Sequence, residues 1–202
     1  MVLRKLASES SKEDFPWLWF IAGPNGSGKS TWVNSLARTK LLGSTPILNP
    51  DLISSEAQVL TDFVDAGRKT LLAMNSYIAT KKDFAIETTL SGRNYLVKAQ
   101  LLRKKGWRIG CIYIGLSSIK QSIARVEERH RKGGHTVPIK DIVRRYPRSL
   151  KNLTLMITLC DYLAVFDNSF ELELLLEADK EGIYIRKQLI PQWLKQVLSQ
   201  SL

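Results

Sequence analysis

Apolar residues along this chain fall into short, nearly unbroken runs separated by stretches of helical spacing. Trp17-Leu18-Trp19-Phe20-Ile21-Ala22, Phe84-Ala85-Ile86, Trp107 to Gly115 and Tyr162-Leu163-Ala164-Val165-Phe166 have the continuous hydrophobicity of strands buried on both faces. A shorter run, Pro46-Ile47-Leu48, stops abruptly at Asn49-Pro50-Asp51. Between them the period changes. The spacing predicts a helix from about Lys29 to Arg38, halted before Gly43-Ser44-Thr45-Pro46, and a long one from Glu56 to about Lys82. In the long helix Val59, Leu60, Phe63, Val64, Leu71, Leu72 and Met74 fall on the inward side, and Gly67 marks where it would break. Further helices are predicted from Tyr95 to about Lys105, closed by Gly106, from 117 to 131, and from Ile139 to about Leu150. Gly182-Ile183-Tyr184-Ile185-Arg186 reads as a short edge strand, and Trp193, Leu194, Val197 and Leu198 as the inner face of a closing helix. Strands alternating with helices predict an α/β fold, a mostly parallel sheet between two helical layers.

The strand ends hold the polar residues. In an open parallel sheet, ligands bind outside the carboxyl ends of the strands. After the first strand comes Gly23-Pro24-Asn25-Gly26-Ser27-Gly28-Lys29-Ser30-Thr31, which fits G-x-x-x-x-G-K-[ST]. Strand, glycine loop and helix are the order this motif requires. Such a loop turns successive backbone N–H groups onto a polyphosphate while the following helix presents its positive end. Lys29 would reach the β- and γ-phosphates and the Ser30 hydroxyl a Mg²⁺ ion, so the expectation is a three-layer P-loop fold that binds a nucleoside triphosphate.

Composition narrows the setting. A chain of 202 residues suits one domain with a sizeable core, with residues 1–14 as a flexible leader and 170–202 as a C-terminal edge strand and helix. The polar start does not resemble a secretory signal, and no apolar run is long enough to span a membrane, so a cytoplasmic setting is expected. Cys111 and Cys160 lie apart in apolar surroundings and read as inert thiols. The net charge of +11 calls for a polyanionic partner: nucleic acid, a membrane surface or a phosphorylated small molecule.

The basic residues are not evenly spread. Between Arg125 and Arg148 lie six arginines, Arg125, Arg129, Arg131, Arg144, Arg145 and Arg148, joined by Lys132 and Lys140 and interrupted by Gly133-Gly134-His135-Thr136-Val137-Pro138. Helix, glycine loop and helix in this order reads as a lid over about 125–150 that carries arginines to the transferring phosphoryl group, with a solvated charged face as the alternative. His135 would help position the loop, since it lacks partners at metal-ligand spacing. The run from Lys98 to Arg108 reads as an exposed helix face. Asp51, at a strand end behind a proline, is the candidate carboxylate for deprotonating an acceptor hydroxyl, or else a helix N-cap. Glu87, Thr88 and Thr89, with Arg93 beyond them, are suited to holding sugar hydroxyls, or else to capping the next helix.

Taken together, the phosphate loop, Asn49-Pro50-Asp51, Glu87-Thr88-Thr89-Leu90-Ser91-Gly92, Gly133-Gly134-His135-Thr136-Val137-Pro138 and Phe166-Asp167-Asn168-Ser169 resemble the zeta toxin family of P-loop kinases. The resemblance covers about residues 17 to 168. It implies ATP and Mg²⁺ as cofactors and transfer of the γ-phosphate to the 3′-hydroxyl of a UDP-N-acetyl amino sugar, chiefly UDP-N-acetylglucosamine. It further implies Lys29 and Ser30 on phosphate and Mg²⁺, Asp51 as base, and Glu87 and Thr89 near the sugar. Arg131 and Arg144 are the arginines expected on the γ-phosphate, with Arg129, Arg145 or Arg148 as replacements. A small antitoxin protein is a partner that the resemblance allows. Three other readings stay open: a kinase of another small hydroxyl compound, such as an antibiotic or metabolite, a nucleic-acid-binding P-loop ATPase, and a non-catalytic nucleotide-binding module, which would not require Asp51. The second is disfavoured by the concentration of charge in the lid and by the lack of RNA-binding or helix-turn-helix signatures.

Overall fold

The computed structural model describes residues 15–49, 60–134 and 136–200. The first strand, β1, spans Trp17–Ala22, and two short helices follow it, α1 (Lys29–Val33) and α2 (Leu36–Leu42). Then come β2 (Ile47–Leu48), α3 (Leu60–Ala79), β3 (Phe84–Thr88), α4 (Asn94–Lys104) and β4 (Arg108–Gly115). The second half comprises α5 (Ile119–Arg131), α6 (Ile139–Leu159), β5 (Tyr162–Asp167), β6 (Glu173–Asp179), β7 (Gly182–Ile185) and α7 (Gln192–Leu198).

The strands form one sheet in the order β2-β3-β1-β4-β5-β6-β7. The pairs from β2 to β5 are parallel, and β6 and β7 add antiparallel. Because side chains alternate along a strand, each central strand feeds two cores. Leu18 and Phe20 of β1, Ile109, Cys111 and Tyr113 of β4, and Leu163 and Val165 of β5 meet Met74 of α3, Leu96 of α4, Leu153 and Met156 of α6, and Trp193 of α7. The opposite residues, Trp19, Ile21, Ile112, Ile114, Ala164 and Phe166, pack with Trp32 of α1 and Leu42 of α2. This double burial explains the unbroken apolar runs, and the three-layer α/β fold is the expected one.

Four local expectations change. The single helix to Arg38 is two, because Ser35 breaks it and its Oγ accepts the Arg38 backbone N–H to start α2. The long helix continues through Gly67 without a break, and Leu71 and Leu72 face outward while Thr70 and Met74 are buried. The helix from Ile139 does not end near Leu150; it runs to Leu159 with Pro147 inside it, held by buried Ser149, Asn152, Leu153 and Met156, and Val143 is exposed. Finally, Glu173–Asp179 is a strand that periodicity did not mark, so the carboxyl end of the chain adds an antiparallel hairpin rather than a lone edge strand. The 1–14 leader and the start of the long helix before Leu60 lie outside the described residues.

Candidate functional site

The site grows from the carboxyl end of β1, the middle one of the five parallel strands. Gly23 has a φ of 144°, and a Cβ there would run into the Ile114 carbonyl of β4. Only glycine lets the chain leave the strand so close to its neighbour. Gly28, at φ 92°, lies where a Cβ would come within 2.5 Å of Asn168 Nδ2. Between them the loop from Gly23 to Ser27 is buried except at Gly26, and α1 starts at Lys29.

Side chains from two distant elements hold this loop in shape. Asn168, just beyond β5, donates from Nδ2 to the Ser27 carbonyl at 2.9 Å, and its own backbone N–H bonds to the Gly115 carbonyl at 3.0 Å. Ser122 of α5 donates from Oγ to the Asn25 carbonyl. Arg125, one turn on, is packed against Gly26 and donates to the Ser169 carbonyl at 3.2 Å. Neither Asn168 nor Ser122 was expected among the site residues. For Asn168 the signal is its place in the strand-end run Phe166-Asp167-Asn168-Ser169, whereas a serine on a helix, as at Ser122, carries none.

Inside the loop, Lys29 is buried, and its Nζ donates to the Gly23 and Pro24 carbonyls at 2.9 and 3.0 Å. Asn25 Oδ1 and Ser27 Oγ are buried without a hydrogen-bond partner. Buried polar atoms left unpaired carry a desolvation cost, and at a ligand site that cost is relieved by the ligand. Ser30 is exposed at the first turn of α1, with Thr31 exposed beside it. Its Oγ donates to Glu87 Oε1 at 3.0 Å, while Asn49 Nδ2 donates to Glu87 Oε2 at 2.8 Å. The phosphate-loop hydroxyl, the end of β2 and the end of β3 therefore meet on one buried carboxylate.

Beyond Glu87 the chain turns sharply. Thr88 Oγ1 accepts the Leu90 N–H at 3.0 Å, and Thr89 and Ser91 hydroxyls bond to each other at 2.9 Å. Leu90 is fully buried with a φ of 55°, a conformation costly for a branched side chain. Asn152 of α6 secures it, donating from Nδ2 to the Leu90 carbonyl at 2.7 Å. Arg93, exposed, precedes α4 and caps it with no side-chain bond.

The arginines of α5 and α6 flank the turn between the two helices. Arg131 pairs with Glu128 at 2.6 Å, with Lys132 on the same carboxylate, and the hydrogen bond from Lys132 followed by the charge of Arg131 lowers the Glu128 carboxyl below its ordinary value. Arg144 pairs with Asp141 at 2.8 Å, and Arg145 lies 3.8 Å from the other oxygen. Arg129 and Arg148 are exposed. Arg131 and Arg144 are thus each engaged on their own helix, whereas Arg125 is held at the phosphate loop. Asp51 and His135 lie outside the described residues. Among the described residues no three His, Cys, Asp or Glu side chains gather as a metal cluster, and no helix is long and apolar enough to cross a membrane.

An uncharacterized protein of Haemophilus influenzae is 32% identical over 127 residues, which cover 62% of this chain and 88% of that protein. The chain belongs to that protein's family. No protein-family model matches the chain. Among solved structures, the AvrRxo1-ORF1:-ORF2 complex with ATP contains a chain that superposes with a TM-score of 0.68 at 15% identity, over 93% of this chain and 65% of that one. This chain therefore spans less than two thirds of the AvrRxo1 chain. The PezAT toxin-antitoxin system of Streptococcus pneumoniae gives a TM-score of 0.59 at 16% identity, over 95% of this chain and 87% of the other. These likenesses place the chain in the P-loop kinase fold.

Proposed function

We propose that the protein is an ATP-dependent phosphotransferase that moves the γ-phosphate to a sugar hydroxyl, with the 3′-hydroxyl of a UDP-N-acetyl amino sugar as first-choice acceptor. The observation that carries this reading is the meeting of Ser30 with Glu87 and Asn49 beside a glycine loop that buries Lys29. A loop needed only as a turn would not bury a lysine on its carbonyls and leave Asn25 Oδ1 and Ser27 Oγ unpaired. Adding a polyphosphate supplies acceptors for Lys29 and for the loop's N–H groups at once. The ATP in the AvrRxo1 structure supports the choice of nucleotide.

The residues fit a Mg²⁺ ion: the Ser30 hydroxyl and the Glu87 carboxylate are hard oxygen donors, and Mg²⁺ commonly takes one or two carboxylates with substrate phosphates. When bound, it would neutralise charge on the phosphates. Glu87 is assigned here to the metal side of the site, with Thr88, Thr89 and Arg93 left to the acceptor. Lys29 turns from the Gly23 and Pro24 carbonyls to the phosphates, and Gly26, Ser27 and Gly28 offer backbone N–H groups. As the acceptor oxygen bonds to phosphorus, Asp51 takes its proton and ADP leaves. Arg131 and Arg144, exchanging Glu128 and Asp141 for the γ-phosphate, would hold the charge of the transition state.

A small protein partner belongs to the same proposal, since AvrRxo1-ORF1 was solved with ORF2 and PezAT is named as a toxin-antitoxin system. The deciding variant is Asp51→Ala. It should keep ATP affinity and lose about 10²- to 10⁴-fold in turnover, the range of general base catalysis. Turnover within about threefold of the parent would remove Asp51 from the mechanism.

A further inference from the structure

Strand β7 ends the sheet, and among the described residues it pairs only with β6. The register sets Ile185 opposite Leu176 and Ile183 opposite Ala178. Leu176 and Ala178 are buried in the core that α7 covers, whereas Ile183 and Ile185 are 46% and 55% exposed. The apolar layer therefore runs on to the rim of the sheet and stops there uncovered. The backbone points the same way. Arg186 donates its backbone N–H to the Leu175 carbonyl at 2.8 Å, and bonding alternates along an antiparallel strand. Gly182 and Tyr184 thus bond inward to β6, and the N–H and C=O groups of Ile183 and Ile185 face outward. Sheet edges are ordinarily blunted by a proline, a bulge or a charge within the strand. From Gly182 to Ile185 there is none of these, and the charges stand at the flanks: Lys180 and Glu181 before the strand, Arg186 and Lys187 after it.

We infer that β7 is a homodimer interface, pairing antiparallel with β7 of a second copy about a two-fold axis at Tyr184. Antiparallel partners must both bond across the shared edge, so the outward-facing Ile183 and Ile185 are matched with one another and the axis falls on a residue. Centred on Tyr184, Ile183 of each copy exchanges both backbone bonds with Ile185 of the other, and the isoleucine side chains meet on one face. The same register sets Glu181 against Lys187 at both ends and Arg186 against Gly182. Centred on Ile183, the pairing would set Arg186 against Lys180, like charges that repel. Centred on Ile185, it would set Lys187 against Ile183 and Glu181 against Leu189. Charge complementarity therefore selects one register. Lys187 lies 3.0 Å from Glu173 in an exposed pair, which leaves it able to meet a second carboxylate. An interface that uses the same patch on both copies closes as a dimer. Strand β7 is four strands from β1, about 19 Å at the usual strand spacing, so both phosphate loops stay open in that dimer.

The test is sedimentation velocity of the purified chain from about 1 to about 100 µM, the range in which a small edge interface associates. The parent should pass from monomer to dimer across it. Ile183→Pro removes an outward N–H and keeps those bonded to β6, and it should stay monomeric throughout. Glu181→Lys alone and Lys187→Glu alone should each weaken the dimer by about tenfold or more. Mixing these two variants should restore it, because each chain then offers the charges that the other lacks. A parent that is monomeric at about 100 µM, or that forms species larger than a dimer, overturns the proposal. A dimer that survives Ile183→Pro places the interface elsewhere and overturns it too. Weakening by both charge variants without recovery on mixing overturns the register.

Discussion

The Ser30 hydroxyl donates to the Glu87 carboxylate at 3.0 Å, joining residues 57 positions apart at the mouth of the phosphate loop. The second oxygen of Glu87 accepts from Asn49, so the carboxylate is oriented before any ligand arrives. Such preorganisation predicts a specific failure. Glu87→Gln keeps the shape and the Asn49 neighbour but removes the charge. It should cut the Mg²⁺-dependent part of ATP affinity by about 10- to 100-fold, the usual cost of disturbing a metal's ligand set. ATP affinity without Mg²⁺ should stay within about twofold. Calorimetry with and without the metal checks this, and an equal loss in both conditions would place Glu87 outside the metal site.

Asn168 contributes one hydrogen bond to the Ser27 carbonyl from the end of β5, two strands away from β1. Asn168→Ala should lower stability by about 1 kcal/mol. For a chain of this size that is about 2 to 4 °C in Tm. ATP affinity should fall by about fivefold, since the loop must then be ordered on binding. Thermal melts with and without ATP read both effects. An unchanged Tm and unchanged affinity would show that the loop holds its form without the clamp.

How much of this was readable beforehand depended on the kind of signal. The phosphate loop and the parallel strands were legible because each obeys a local rule: a motif with fixed spacing, or an apolar run buried on both faces. Strand β6 was missed because Leu174-Leu175-Leu176 shows neither period, and only pairing with β5 defines it. Helix α6 runs nine residues past the expected end near Leu150 because buried Asn152, Leu153, Met156 and Leu159 carry it on against the sheet, and they outweigh the backbone bond lost at Pro147. Leu71 and Leu72 misled because apolar residues occupy both faces of α3, and the one that meets the sheet carries Met74. The Asn168 and Ser122 clamps depend on contacts 141 and 97 residues apart, which no local pattern encodes.

Arg131 and Arg144 are exposed ion-pair partners on their own helices, a type of pair worth little to stability. Their proposed work is on the γ-phosphate. Arg131→Ala and Arg144→Ala should each leave Tm within about 1 °C and reduce kcat by about 10²-fold or more, toward the loss seen when a catalytic arginine is removed. ATP affinity should change much less than kcat. Full activity in both variants would return these residues to the role of a solvated face.

The hairpin has its own buried charge. Glu177, 1% exposed, accepts from the Tyr162 hydroxyl at 2.7 Å and from Arg186 Nε at 2.8 Å, and burial followed by the Glu177 carboxylate pushes the Tyr162 hydroxyl up. Arg186→Met should cost of the order of 3 kcal/mol by leaving that carboxylate without its cation. The expected Tm loss is about 6 to 12 °C. Adding Glu177→Met to the same chain should recover much of it, and a single variant as stable as the parent would show that water already balances the charge.

The central claim is transfer of the γ-phosphate from this loop to a sugar hydroxyl. The most direct measurement incubates the purified protein with Mg²⁺, UDP-N-acetylglucosamine and ATP labelled at the γ-phosphate, and follows the label by mass spectrometry, with Lys29→Met as control. Label on the sugar nucleotide from the parent and none from Lys29→Met is the predicted result. A folded parent that binds ATP yet leaves the label off this sugar nucleotide would contradict the acceptor, and one that leaves it off every hydroxyl compound offered would contradict the kinase itself.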